Sequence, residues 1–330
     1  IIIALLSITI LRLSSQTLTG EAGKGGKDVE LSPIVTECND GIDNDGDGLL
    51  DWQLDLGCWS SEDDKEIAEP RADEDGWTTF DPSSDTIITY VSSSLGKDEW
   101  TGRCPIAPTD ESLCGPKKTL AAGHSQLREG YPDWLLMRFG DKWYWESFGN
   151  PANQGTSGRS DKERLILGGY STGETLEERP ALVCGSYATR RSNNVVIRDL
   201  DFAVYSEENH CGGSIISGGG GKQFSNLIVE GNNFPSGGAL NVQGYTNLEF
   251  RRNSVYDGWV TDGNGKITAN LGAYTEQIDE LLNEGNVYYS NGLKMGPSGE
   301  RTANDPKVAT WFLHNFYNQA NNWNVIVREN

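Results

Sequence analysis

The sequence predicts an all-β repeat fold, a solenoid, preceded by a small acidic loop module. Three observations carry this. The second half of the chain falls into short apolar runs separated by Gly/Asn turns: R-L-I-L-G-G-Y from Arg164, N-N-V-V-I-R-D-L-D-F from Asn193, S-N-L-I-V-E-G-N-N-F from Ser225, T-N-L-E-F-R-R-N-S-V from Thr246 and W-N-V-I-V-R-E-N from Trp323. The last four align as N-h-x-h-x-x-N, with final positions Leu200, Asn232, Asn253 and Asn330 and room for a further repeat around Asn286. A repeat of roughly 20–30 residues, one strand-turn-strand each, is a solenoid signature. Finally, 40 glycines and only 2 methionines in 330 residues indicate many turns and little helix. Single Asn residues at the turns can stack as ladders and tolerate left-handed backbone geometry.

The elements follow in order. Residues 1–20 open with the apolar run Ile1–Leu11, too short to span a bilayer. It reads as the apolar core of a secretory signal without its Met and basic start, or as a retained β-branched segment able to pair with a sheet edge of another copy. Residues 21–36 form a polar linker. Residues 37–66 form the acidic module, and residues 67–85 a second, acidic, Pro-containing linker. The repeat domain is expected over 86–330 and, because the chain stops within a strand-like pattern, is expected to be truncated at its C-terminus. At its start the pattern predicts a strand at Ile87–Val91, a short helix over 119–129 capped by Thr119 with Leu120, His124 and Leu127 on one face, and a strand at Trp134–Phe139.

Within the acidic module Asp43, Asp45, Asp47 and Asp51 stand at the first, third, fifth and ninth positions of a loop that Gly46 and Gly48 break. Calcium takes six to eight oxygens, and short carboxylates on alternate residues of a tight loop supply them. Gly48 falls where an EF-hand has its glycine, but Leu54 stands where the bidentate Glu would be. The loop resembles those of thrombospondin type 3 repeats. The expected ligands of Ca2+ are the side chains of Asp43, Asp45, Asp47 and Asp51, the carbonyl of Leu49, and Asp55, with Asp40 or water as alternatives to Asp55. A solvated acidic linker is the competing reading.

Six cysteines fall into three plausible pairs: Cys38 with Cys58, Cys104 with Cys114, and Cys184 with Cys211. Spacing does not fix the pairing, but short loops of this kind and the lack of a C-x-x-C point to an oxidising compartment. The net charge of -21 argues against nucleic acid as a partner, since phosphate binding needs a basic surface.

From Thr86 onward the segments Y-V-S-S-S-L-G-K-D-E-W-T-G and G-P-K-K-T-L-A-A-G resemble the opening of secreted right-handed parallel β-helix proteins of the pectate-lyase-like superfamily. The resemblance implies a right-handed parallel β-helix with a short N-terminal cap helix, with D-W-L-L-M-R-F-G-D-K-W as first rung. L-H-N-F-Y-N-Q, from Leu313, would be a later one. It also implies a secreted or cell-surface protein of bacterial type. The fold hosts lyases, hydrolases, epimerases, adhesins and tailspikes, so it does not by itself assign an activity.

A polysaccharide lyase of this fold needs a base and a cation on one exposed groove. Arg198 and Arg251 occupy the same register of the repeat, and His210 lies on a polar turn beside Cys211; these are the candidate catalytic residues. Against them, an Arg on a strand also serves simply to solubilise an acidic surface, and His210 reads equally as a loop residue. No R-x-P-x-x-R motif occurs. The run Gly218–Gly221 reads as a flexible loop, Asp257 and Asp262 as turn residues, and His124 as packed. Trp143, Trp145, Trp259, Trp311 and Trp323, with several Tyr, can furnish a sugar-stacking surface or fill the core. The expected function is an extracellular calcium-binding protein that binds or cleaves polysaccharide, as a lyase or hydrolase of an acidic glycan. The alternative is a non-catalytic surface or filament-forming protein stabilised by calcium and disulfides, self-assembling through the apolar N-terminal segment.

Overall fold

The computed structural model describes residues 35–44, 61, 76–109, 113–148, 155–173, 178–185, 187–188, 192–203, 216–218, 224–235, 239–256, 259–261, 267–269, 272–289, 316–319, 321–328 and 330. For 187–188, 217–218, 259–261, 267–269, 289 and 328 the backbone alone is described. The described residues are nearly all β, and every strand pair but one is parallel. The exception is the short pair Trp259–Thr261 with Ile267–Ala269. Among these residues no helix is long and apolar enough to cross a membrane.

Three parallel sheets share the chain. The first has eight strands: Ile88–Val91, Trp134–Arg138, Leu165–Tyr170, Val195–Arg198, Phe224–Glu230, Tyr245–Arg251, Asp279–Glu284 and Trp323–Arg328. The second contains Asn233–Phe234, Ser254–Tyr256 and Val287–Tyr289, and isolated bridges through Asp201 extend it to Ala181–Val183 and Lys142–Tyr144. The third contains Tyr187–Ala188, Ile216–Gly218, Leu240–Gln243, Ala273–Glu276 and Phe316–Asn318. From Phe224 onward the chain visits first, second and third sheet in that order, pass after pass, and each strand pairs with its counterpart one pass later.

Inward positions of the sheets form one continuous core, which includes Leu135, Leu167, Ile197, Val229, Phe250 and Leu281. Phe202, Phe234, Phe250 and Tyr288 stack through it, with ring centroids 5.0, 6.1 and 6.4 Å apart in sequence. The uninterrupted V-V-I and L-I-V runs are explained by burial on both sides, as expected for parallel sheets. The outward Ile166, Val196 and Ile228 are covered by Phe80 and Trp134. Trp143, a candidate stacking residue, is instead 1% exposed in the core, and its indole N–H donates to the Lys118 carbonyl at 3.0 Å.

The two asparagines of the repeat do different jobs. The first, at Asn194, Asn226, Asn247 and Asn324, takes positive φ between 47° and 59° near the start of four first-sheet strands, and Glu280 takes that place, at φ 60°, in Asp279–Glu284. Short polar side chains tolerate this left-handed geometry at less cost than other non-glycine residues. The second forms a ladder at the turn into the second sheet. The Asn232 backbone N–H and Nδ2 donate to Asn253 Oδ1 at 2.9 and 3.1 Å. Asn253 donates likewise to Asn286 (2.8 and 3.0 Å), and Asn286 to Asn330 (2.8 and 3.1 Å). The Leu200 N–H ends the ladder on Asn232 Oδ1 at 3.1 Å.

The helix is shorter than expected, Leu120–His124 rather than 119–129. Thr119 caps it as predicted, its hydroxyl accepting from the Ala122 N–H at 3.1 Å. Beyond it the Gln126 and Leu127 N–H groups donate to the Gly123 and His124 carbonyls at 3.0 and 3.1 Å, a three-residue spacing, and Arg128 is held by Asp133 through its backbone N–H at 3.0 Å and its guanidinium at 2.6 Å. Cys104 and Cys114 are disulfide-bonded, as expected, and Cys38 and Cys184 are bonded to partners outside the described residues.

Candidate functional site

Arg198 and Arg251 do share one register column, but not as neighbours. The column on the outer face of the first sheet reads Arg198, Glu230, Arg251, Glu284 across successive strands, so the charge alternates. Opposite charges directly across a strand pair attract, and here burial strengthens the effect. Arg251 is 4% exposed, and Glu230 is fully buried. The Arg251 guanidinium reaches Glu284 at 3.1 Å and Glu249 at 3.3 Å. Burial pushes the Glu249 carboxyl above its usual range, and nearby Arg164 and Arg251 pull it back only in part.

This column is covered by the segment 76–80. The Thr78 N–H and hydroxyl donate to Glu230 at 3.3 and 3.1 Å. The Thr78 hydroxyl accepts from Arg251 at 3.3 Å, and its carbonyl accepts from Arg198 at 2.8 Å. Arg252 donates to the Gly76 carbonyl and lies 5.4 Å from the Trp77 ring, while Arg198 lies 5.9 Å from the Phe80 ring. Gly231 has φ +70°, and a Cβ there would come within 2.9 Å of Trp77, so the covering segment and the glycine fit each other. What these arginines do chemically is hold the N-terminal segment on the sheet. His210 lies outside the described residues.

The third sheet presents a different outer face. Leu240, Val242, Ala273 and Thr275 point inward and are buried; Asn241, Gln243, Tyr274, Glu276 and Tyr317 alternate with their strands' inward residues and stand outside. The Tyr274 and Tyr317 rings are 5.7 Å apart and tilted by 36°. The Tyr274 hydroxyl donates to Glu276 at 2.8 Å, also contacts the Gln319 side-chain oxygen, and is hydrogen-bonded by Gln243. Partial burial and the Glu276 carboxylate push the Tyr274 phenol up to about 12, so it stays protonated at neutral pH. The connections into this sheet from the second run over 235–239, 257–272 and 290–315, and those from it to the first over 244, 277–278 and 319–322. Sequence reasoning passed over this face. Its signal was the shared spacing of A-Y-T-E-Q at 273–277 and F-Y-N-Q at 316–319. Of the other aromatic candidates, Trp145 and Trp323 are exposed, and the side chain of Trp259 and all of Trp311 lie outside the described residues.

Of the expected calcium ligands, Asp43 is described; Asp45, Asp47, Leu49, Asp51 and Asp55 lie outside the described residues. At the module's start, Thr36 and Asn39 both donate to the Ser61 carbonyl, drawing its two ends together. Asp40 is engaged within the loop, accepting from the Ile42 N–H at 2.8 Å and from Asn44 at 3.0 Å. Among the described residues no three His, Cys, Asp or Glu side chains form a metal-sized group.

No family model matches the chain, and no curated protein matches it. A solved structure of a rhamnogalacturonan lyase is similar at 12% identity and a TM-score of 0.36, over 65% of this chain. The chain spans 60%, less than two thirds, of that protein's length.

Proposed function

We propose that this chain is an extracellular right-handed parallel β-helix protein that binds polysaccharide on the outer face of its third sheet. The observation that carries the reading is the outward Tyr274–Tyr317 pair with Gln243, Glu276 and Gln319 around its hydroxyl. Sugar rings present C–H faces that pack on aromatic rings and hydroxyls that pair with amides and carboxylates. The repeated order of the three sheets and the Asn ladder support the β-helix. The disulfide-bonded cysteines support an extracellular site.

Binding is the part that the geometry carries. The alternating acidic loop would hold Ca2+ through Asp43, Asp45, Asp47 and Asp51, the Leu49 carbonyl and Asp55, with a structural role: the ion relieves the mutual repulsion of the carboxylates. The test is co-sedimentation of the full chain with a panel of insoluble polysaccharides. Binding to at least one, lost in the Tyr274→Ala/Tyr317→Ala double variant while the circular dichroism spectrum is kept, supports the reading. No binding to any overturns it. The second reading, a structural surface protein, is favoured by the commitment of Arg198 and Arg251 to the covering segment. Filaments in negative-stain images would support it.

A further inference from the structure

We infer that the third-sheet face selects a neutral polysaccharide rather than a uronate-bearing one. The inference rests on the reading of that face as a glycan-binding surface and names the class of glycan it takes.

The register fixes which residues the face presents. One outward column runs Asn241, Tyr274 and Tyr317 across three adjacent strands, and a second runs through Gln243 and Glu276. Gln319 follows directly, its backbone N–H bound to the Thr275 carbonyl at 2.9 Å. Among the described residues these columns hold hydroxyls, amides and two aromatic rings, one carboxylate and no cation. A uronate chain repeats a carboxylate along its length. To bind here it would need an Arg, a Lys or a bound cation for each carboxylate it desolvates. It would instead meet Glu276, whose like charge raises the cost.

The described arginines of the first sheet's outer face are turned elsewhere. Arg198, Arg251 and Arg252 lie on the first sheet and are engaged by Glu230, Glu249, Glu284 and the segment 76–80. The Tyr274 phenol, protonated at neutral pH, supplies a ring and a hydroxyl but no charge to offset a carboxylate. Amides and hydroxyls both donate and accept, which matches neutral sugar hydroxyls without any charge to neutralise. The net charge of -21 further disfavours a polyanion by long-range repulsion.

The experiment is affinity electrophoresis of the full chain in native gels. The gels contain hydroxyethylcellulose, galactomannan or arabinoxylan as neutral probes, and polygalacturonate or alginate as acidic ones. Retardation by at least one neutral polymer and by neither acidic one is expected. Raising the salt to 0.5 M should leave it unchanged, since screening weakens only charge-driven binding. Tyr317→Ala should weaken retardation about tenfold, the loss of one stacked ring. Tyr274→Phe, which keeps the ring and the packing, should weaken it less. Trp323→Ala, on the first sheet, should leave it unchanged. Retardation by polygalacturonate or alginate alone, abolished by 0.5 M salt, overturns the inference while leaving glycan binding standing. Retardation by no polymer overturns both.

Discussion

Replacing Asn253 with Ala removes the middle of the asparagine ladder, and the structure says which groups it strands. Asn253 Oδ1 accepts from the Asn232 backbone N–H and Nδ2, and Asn253 Nδ2 donates to the Val229 carbonyl at 2.9 Å and to Asn286 Oδ1. After truncation Asn232 Nδ2 keeps the carbonyls of Ile197 and Glu230, at 2.9 and 3.1 Å. Asn286 Oδ1 keeps the Asn253 backbone N–H. The Asn232 N–H loses its acceptor and the Val229 carbonyl loses a donor, both in the buried core. An unmade bond to a buried polar group costs about 1–3 kcal/mol, so the variant should lose about 2–6 kcal/mol. Guanidinium denaturation followed by circular dichroism measures the loss. A loss under about 1 kcal/mol would refute the reasoning that stranded buried groups set the ladder's worth.

Three further outcomes follow from particular contacts. Glu249→Gln should flatten the pH dependence of stability. Burial raises the folded-state pKa above 4.5, so the wild-type contribution is complete below that value and fades as pH rises through the raised one. Denaturation midpoints at several pH values from 4 to 8 check this, and the variant should be at least as stable at pH 7. Asp133 has the opposite sign: burial works to raise its pKa, but the bonds from Arg128 and the Ile87 N–H hold it below 3.8. Its contribution is present above the unfolded value and lost as pH falls through the folded one, so Asp133→Asn should begin acid unfolding at a higher pH. Gly123→Ala would add a Cβ 2.5 Å from Val91 Cγ2 and 2.8 Å from Leu135 Cδ1. Overpacking costs about 1–3 kcal/mol, which outweighs the ~1 kcal/mol that alanine contributes to a helix, so the melting temperature should fall rather than rise.

What the sequence determined by itself is what repeats locally. Asn194, Asn226, Asn247 and Asn324 announce a left-handed residue at fixed phase with the apolar run, and Asn232, Asn253 and Asn330 announce a stacked turn. Both demands are set within a few residues, so they show in the spacing. The parallel strands follow from runs apolar on both faces. Thr119 and the Cys104–Cys114 pair were legible for the same reason: a cap and a short disulfide loop are local events. Arg198 and Arg251 could be placed in one column, because register is a repeat property.

Only the tertiary structure decided what meets that column. Glu230 separates the two arginines, and Thr78, more than a hundred residues away in sequence, lies over them with Trp77 and Phe80. No periodicity couples a linker to a distant sheet face, since their attraction depends on which outward residues happen to be apolar or charged after folding. The same holds for Trp143, whose aromatic character is compatible with core or surface until the packing chooses. The Tyr274–Tyr317 face fell between these cases. Its strands are short and lack the paired asparagines, so one Tyr-x-Glu and one Tyr-x-Gln became meaningful only once parallel pairing set one ring beside the next.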